Sequence, residues 1–310
     1  MIFKSAWPDV EVPEVPVTEF VLRHAERLRD RPAIVDGPTG RVLTFGGLAD
    51  QVKRVATALG RMGFRKGDVF AIYSPNVPEY AVIFLAVASL GGVNTTANPL
   101  YTAGELAKQL QDSRARFLIT SGPFLDKARE AAAQAGVEAI FVFGEAEGAR
   151  PFAELLAAPP KPPVVTIDVA NDVVALPYSS GTTGLPKGVM LTHRNIVANL
   201  SQCFGTTDWE GPREGDVVPC FLPFFHIYGL VVIMALNLAS GAVTVSIPRF
   251  DFIEFLALAQ KYRATILPLV PPVVLAMAKS PAVSQFDLGS VRLVFCGAAP
   301  LSDSVARELG

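Results

Sequence analysis

Strand-like and helix-like patterns alternate through the first half of the chain, and this alternation leaves few architectures open. A helical stripe over residues 17–29 carries Val17, Phe20, Val21, Ala25 and Leu28. Short strands are predicted at 33–35 and 41–44. Thr44 then precedes a helical run over 46–62 that stops at Gly63. A strand at 68–73, the breaker Ser74-Pro75-Asn76 and an apolar helix over 78–90 come next. Helix 103–113, strand 116–120, helix 123–135 and strand 138–143 continue the series. Strands joined by helices of this length pair in parallel through right-handed crossovers. The expected fold class is therefore α/β, with largely parallel sheets.

The chain has 310 residues, half of them hydrophobic and 18% charged. That much apolar side chain offsets the entropy of ordering the chain, so extensive disorder is excluded. The length suits two α/β subdomains. Pro159-Pro160-Lys161-Pro162-Pro163 reads as the linker between them, dividing the chain into 1–163 and 164–310. With 27 basic and 29 acidic residues the formal charge is −2, which argues against a nucleic-acid partner. Cys203, Cys220 and Cys296 form no CxxC pair, so neither a disulfide framework nor a zinc site is expected, and a reducing, cytoplasmic setting fits. Acidic residues and prolines interrupt the N-terminus, which does not read as a signal peptide. Residues 217–248 carry no Asp, Glu, Lys or Arg. Pro219, Pro223, Gly229, Gly241 and Pro248 break that stretch, so it reads as a buried helix over 226–240 and a strand over 242–247, not a membrane span.

Residues 178–188 read YSSGTTGLPKG, with a strand leading in at 173–176 and another leading out at 189–191. Glycines allow close backbone approach to a ligand, and successive N–H groups can form an anion-binding nest. Four hydroxyl side chains add donors, and Lys187 adds a mobile positive charge. The pattern is not the Walker loop, which ends in Gly-Lys-Ser/Thr and opens a helix.

The extended run YSSGTTGLPKGVMLTH resembles the signature of the adenylate-forming superfamily, which includes acyl- and aryl-CoA synthetases, adenylation domains and beetle luciferases. LPFFHIYGL at 222–230 and GAAPL at 297–301 follow in that family's order. Together they most resemble 4-coumarate:CoA ligases and bacterial acyl-CoA synthetases, from about residue 17 onward. The resemblance implies a two-step reaction. A carboxylate attacks the α-phosphate of MgATP to give acyl-AMP and pyrophosphate, and the thiol of coenzyme A then displaces AMP.

By the same resemblance, Ser179, Ser180, Gly181, Thr182, Thr183 and Lys187 hold the ATP phosphates. Thr183 and Lys187 strengthen their contacts as charge moves onto pyrophosphate. Gly297, Ala298, Ala299 and Pro300 line the adenine slot. His226 shapes the carboxylate pocket as an orienting group, since a carboxylate is already ionised at neutral pH. Tyr228, Gly229 and Val232 line the acyl pocket. Arg249 stands where relatives carry a lysine linked to coenzyme A, and its guanidinium can hold a phosphate. His193 and Asn195 are expected to cap a helix, and His24 to be a surface or core-edge residue.

The family's downstream parts include a magnesium-binding Glu, a ribose-binding Asp and a C-terminal domain with a catalytic Lys. None is present by residue 310, and no metal ligand is assigned within the chain. The reading is of the N-terminal portion of a carboxylic acid:CoA ligase, with negligible thioester synthesis expected from this chain alone. A 4-coumarate or cinnamate type of acid leads, with a medium- or long-chain fatty acid as the alternative. The apolar GLVVIM (229–234) argues against recognition of a ring 4-hydroxyl. An adenylation domain serving a carrier protein and a non-enzymatic binding module remain as rivals, and a homodimer is left open.

Overall fold

The computed structural model describes residues 5, 7–179, 186–205 and 210–309. Fourteen strands lie among them. β1 (Pro32–Asp36), β2 (Val42–Thr44), β3 (Val69–Tyr73), β4 (Val93–Ala97), β5 (Ala115–Ser121), β6 (Ala139–Phe143) and β7 (Arg150–Pro151) precede the proline-rich segment. β8 (Val173–Ser179), β9 (Lys187–Gly188), β10 (Leu191–Thr192), β11 (Val217–Cys220), β12 (Val243–Ser246), β13 (Ile266–Leu269) and β14 (Leu293–Cys296) follow it.

The strands form an eight-stranded sheet of order β10-β8-β4-β3-β5-β6-β7, with β9 on β8, a four-stranded sheet β11-β12-β1-β2, and the pair β13-β14. Pairing is parallel except for β2 on β1 and for β9 and β10 on β8. The fold is thus α/β, as the alternation implies, but the sheets do not follow the two halves of the chain. β8 crosses the proline-rich segment to pair with β4, while β1 pairs with β12. The segment joins sheets that both halves build, because parallel pairing places no premium on sequence proximity once a crossover exists.

The helix Glu79–Ser89 explains how the halves cohere. Residues Tyr80 to Ala88 are all buried, so this helix is apolar all round and lies inside the core. Its Tyr80 ring meets Phe224 of the second half edge-on at 5.6 Å. One continuous apolar cluster runs from Val17 to Ile266.

β4 is absent from the periodicity reading, and the reason is chemical. Its sequence VNTTA carries three polar residues, yet every position is buried. Asn94 Nδ2 donates to the Phe84 and Val174 carbonyls at 3.1 and 3.3 Å. Thr95 Oγ1 reaches the Leu176 carbonyl, and Gln109 Nε2 donates to Thr95 Oγ1 and the Thr96 carbonyl. Internal hydrogen bonds, not apolar side chains, offset the cost of burying this strand.

Two helices also differ from expectation. Only Val17–Val21 of the first stripe is α-helical, and irregular turns over 22–30 keep Ala25 and Leu28 buried. The long apolar stretch becomes a π-helix, Tyr228–Ala235, followed by an α-helix, Leu236–Ser240. Among the described residues no helix is long and apolar enough to cross a membrane.

His193 and Asn195 divide the capping role. Asn195 Oδ1 accepts from the Thr192 backbone N–H and Thr192 Oγ1 accepts from that of Asn195, a reciprocal cap at the start of the helix His193–Gly205. His193 instead caps another helix: its Nδ1 accepts the backbone N–H of Val17 at 3.1 Å. His24 is half-buried and carries a lowered pKa, chiefly from burial and then from Arg23 and Arg27.

Burial holds the His193 pKa down at about 4, with Asp172 opposing and Lys66 reinforcing the shift. The folded value lies below that of the unfolded chain, so protons bind the unfolded state more tightly. Stability is complete above about pH 6.5 and declines as the pH falls toward 4. In urea unfolding, the wild type is expected to lose roughly 2–3 kcal/mol more than His193→Gln between pH 7 and 4.5. Equal losses in the two proteins would contradict this.

Candidate active site

Several of the sequence-flagged segments leave the C-terminal ends of strands in parallel pairing. β8 ends at Ser179, β11 at Cys220, β12 at Ser246 and β14 at Cys296. Ligands of open α/β sheets bind in the crevice outside such ends. Ser180, Gly181, Thr182 and Thr183 lie outside the described residues. On either side of them, Ser179 pairs with Lys187 and Tyr178 with Gly188 in an antiparallel stem. Both Ser179 and Lys187 are exposed.

The turn carrying His226 is held from two sides. Asn76 Nδ2 donates to the Cys220 and Leu222 carbonyls at 3.2 and 3.0 Å, and its Oδ1 accepts the Phe224 N–H at 2.8 Å. Thr96 Oγ1 donates to the Phe225 carbonyl at 2.7 Å. Thr96 also pairs with Pro177 of β8. The strand that leads into the phosphate-type loop and the turn that carries His226 are therefore one strand apart. Neither Asn76 nor Thr96 stood out in the sequence. Asn76 reads as part of a breaker, and Thr96 lies in the strand that periodicity passes over.

His226 is exposed, and its Nδ1 accepts the Tyr228 backbone N–H at 3.3 Å. The neutral ring then carries its proton on Nε2 and can donate. Gly229 is required by close approach: a Cβ there would sit 2.2 Å from the Pro223 carbonyl oxygen. π-Helical turns often mark functional sites. Here Val232 stays half-buried while its neighbours Val231 and Ile233 are buried.

Tyr228 joins this helix to the GAAPL turn. Its ring meets Phe295 edge-on at 6.3 Å. A Cβ on Gly297 would lie 2.7 Å from Tyr228 Oη, so only glycine leaves room for the hydroxyl. That hydroxyl is buried and has no hydrogen-bond partner among the described residues. Burial pushes its pKa up to about 12, so it stays a neutral donor and acceptor. Ala298 adopts a left-handed φ of 72°, and Ala298, Ala299 and Pro300 are exposed. The Gly297 N–H donates to the Leu269 carbonyl, which fixes where the turn leaves β14.

Arg249 is exposed just past β12. The Ile247 N–H donates to the Cys220 carbonyl, and Phe250 packs on Phe221 at 4.4 Å, so Arg249 emerges at the same sheet end as the His226 turn. No described contact links it to the other flagged residues. Among the described residues, no three of His, Cys, Asp or Glu come together as a metal site.

This chain belongs to the AMP-binding enzyme family, whose profile matches residues 21–310. It is 45% identical over 306 residues to 4-coumarate–CoA ligase 5 of Oryza sativa subsp. japonica, covering 97% of this chain and 56% of that protein. It is 40% identical to 4-coumarate–CoA ligase 2 of Petroselinum crispum, with the same coverage. The fold matches a long-chain-fatty-acid-CoA ligase from Archaeoglobus fulgidus with a TM-score of 0.89 and 25% identity, over 99% of this chain and 62% of that one. The chain thus spans a little over half the length of the curated relatives it matches.

Replacing Asn76 by Ala would leave the Phe224 N–H without its partner and the Leu222 carbonyl with only the Cys220 thiol, while the Cys220 carbonyl keeps the Ile247 N–H. A loss of about 1–3 kcal/mol is expected in denaturant unfolding. A loss below about 0.5 kcal/mol would mean that the turn is held by other contacts.

Proposed function

We propose that the chain is the N-terminal portion of an ATP-dependent carboxylic acid:CoA ligase acting on an aryl acid of the 4-coumarate or cinnamate type. The observation that supports the reading is Tyr228 set against Gly297, which puts the helix Tyr228–Ala235 beside the GAAPL turn. The 45% identity to a 4-coumarate ligase over nearly the whole chain supports it.

In this reading the acid lies between the π-helix and the GAAPL turn, with its carboxylate toward His226. His226 Nε2 orients the carboxylate by hydrogen bonding and need not remove a proton. Carboxylate attack on the α-phosphate forms the acyl–phosphate bond and expels pyrophosphate. Ser179, Ser180, Gly181, Thr182, Thr183 and Lys187 hold the phosphates, and Thr183 and Lys187 take up the charge that develops on the leaving group. Gly297, Ala298, Ala299 and Pro300 offer a flat, small-residue wall to adenine. Arg249 binds a phosphate of coenzyme A, whose thiol then displaces AMP. Magnesium would enter with ATP; the described residues do not offer a carboxylate set that fits it, so no step is assigned to it.

Tyr228 decides between acids. The apolar GLVVIM face alone would suit an unsubstituted cinnamate or an alkyl chain. The Tyr228 hydroxyl at the start of this helix, unpartnered among the described residues, supplies what a ring hydroxyl needs. A fatty acid is the second reading, favoured by the same apolar helix and by the fold match to a fatty-acid ligase.

Thermal shift with non-hydrolysable cinnamoyl-, 4-coumaroyl-, octanoyl- and palmitoyl-AMP mimics tests this, with AMP as control. A mimic at about 100 times its dissociation constant stabilises by about 2.7 kcal/mol. The aryl mimics are expected to shift the melt most, and larger shifts from the alkyl mimics would select the fatty-acid reading. Tyr228→Phe should weaken the 4-coumaroyl mimic by roughly 1 kcal/mol and leave the cinnamoyl one unchanged. Equal losses for both would remove Tyr228 from hydroxyl recognition.

A further inference from the structure

The stem of the phosphate-type loop has an attachment that the proposed chemistry does not use. Tyr178 is the penultimate residue of β8, and its side chain crosses to the returning strand. A Cβ on Gly188 would lie 3.1–3.3 Å from the phenol ring, so the ring rests directly on that glycine. Tyr178 and Gly188 are also ladder partners, next to the pair Ser179–Lys187. One ring thus covers both strands at the base of the loop.

The hydroxyl of that ring donates a hydrogen bond to Asp112 Oδ2. Asp112 lies in the last turn of the helix Ala103–Ser113. That helix is fixed in position. Its start carries a reciprocal Thr102–Glu105 cap, and Gln109, three residues before Asp112, is buried and bonded to β4. The carboxylate is therefore presented from a rigid element tied to the same sheet as β8. A hydrogen bond to a charged partner is among the stronger kinds. Burial, and then Asp112 itself, raises the Tyr178 pKa, so the phenol keeps its proton and remains a donor.

Packing does not duplicate this attachment. A cavity of about 490 Å³ opens between the helix and the stem, lined by Tyr101, Glu105, Lys108, Asp112, Tyr178 and Pro186. Where atoms do not fill the space, a directional contact has to set the position of the strands.

We propose that Asp112 and Tyr178 form a strap that fixes the β8–β9 stem against the helix Ala103–Ser113 and thereby sets where Lys187 stands. Both are positioning residues. Neither needs to touch a ligand. This rests on the proposed function only for what Lys187 binds, not for the strap itself.

The test uses the 310-residue chain with the variants Tyr178→Phe, Asp112→Ala, Asp112→Asn and the double Tyr178→Phe/Asp112→Ala. The first readout is the rate of tryptic cleavage after Lys187 without ligand, well below the melting temperature. Tyr178→Phe and Asp112→Ala are expected to speed cleavage by about tenfold or more, which corresponds to losing one charge-assisted hydrogen bond. Asp112→Asn, which keeps an acceptor, should stay near the wild type. The double variant should match the singles, because both remove the same bond. Global unfolding midpoints should fall by no more than this one bond contributes, too little for global unfolding to account for the faster cleavage well below the melting temperature. The second readout is the dissociation constant for ATP, expected to rise in Tyr178→Phe and Asp112→Ala and to be rescued in Asp112→Asn. Wild-type cleavage rates in both single variants would overturn the strap. If the wild type itself fails to bind ATP, the nucleotide reading fails, while the cleavage rates still decide the strap.

Discussion

The hydrogen bond from Thr96 Oγ1 to the Phe225 carbonyl, 2.7 Å long, is the contact on which the site depends. It spans from the middle of the eight-stranded sheet to a turn leaving the four-stranded one. A buried hydroxyl left unpaired would cost about 1–3 kcal/mol, so the two sheets are held in a fixed relation at that point. Asn94, Thr95 and Gln109 extend the same network. Apolar packing is non-directional and could accept small slips between the layers. A network of directed bonds cannot, and this is why a polar strand occupies the centre of an apolar core.

Around that network the two halves of the chain pack together. The apolar helix Glu79–Ser89 fills the space between the halves, and Asn76, just before it, clamps the His226 turn. Tyr228 then packs against Gly297, the glycine that follows β14. Positions that look independent along the chain become neighbours because parallel strands deliver their C-terminal ends to one side of each sheet. Lys187 differs in kind. It sits on an antiparallel return strand paired with β8.

Much of this was legible in the sequence, for physical reasons that can be named. The stripes at 46–62 and 103–113 carry clean periodicity because one face of each meets the core, and the strand at 68–73 reads as a short apolar run that is buried on both faces. The glycine and hydroxyl run at 178–188 stood out by composition and the GAAPL turn by resemblance; most of that run lies outside the described residues, and the turn follows directly on β14. β4 was not legible, since its VNTTA sequence looks like a turn until its hydrogen-bond partners are known. The exchange of strands across the proline-rich segment was hidden for a related reason: pattern reports the type of an element and not its neighbour. The π-helical register of Tyr228–Ala235 was hidden because an apolar run buried all round has no face to betray its period. His193 shows the converse case. A histidine at a helix start suggested a cap for its own helix, and it caps another one far away in sequence.

The central claim is that the His226 turn and the GAAPL turn are walls of a single site. Amide hydrogen exchange resolved by peptide, on the chain with and without a non-hydrolysable 4-coumaroyl-AMP mimic, tests it most directly. The account requires simultaneous protection of peptides covering 222–232 and 294–301 at one ligand concentration dependence. Protection of one segment with the other unchanged, or two separate concentration dependences, would contradict it.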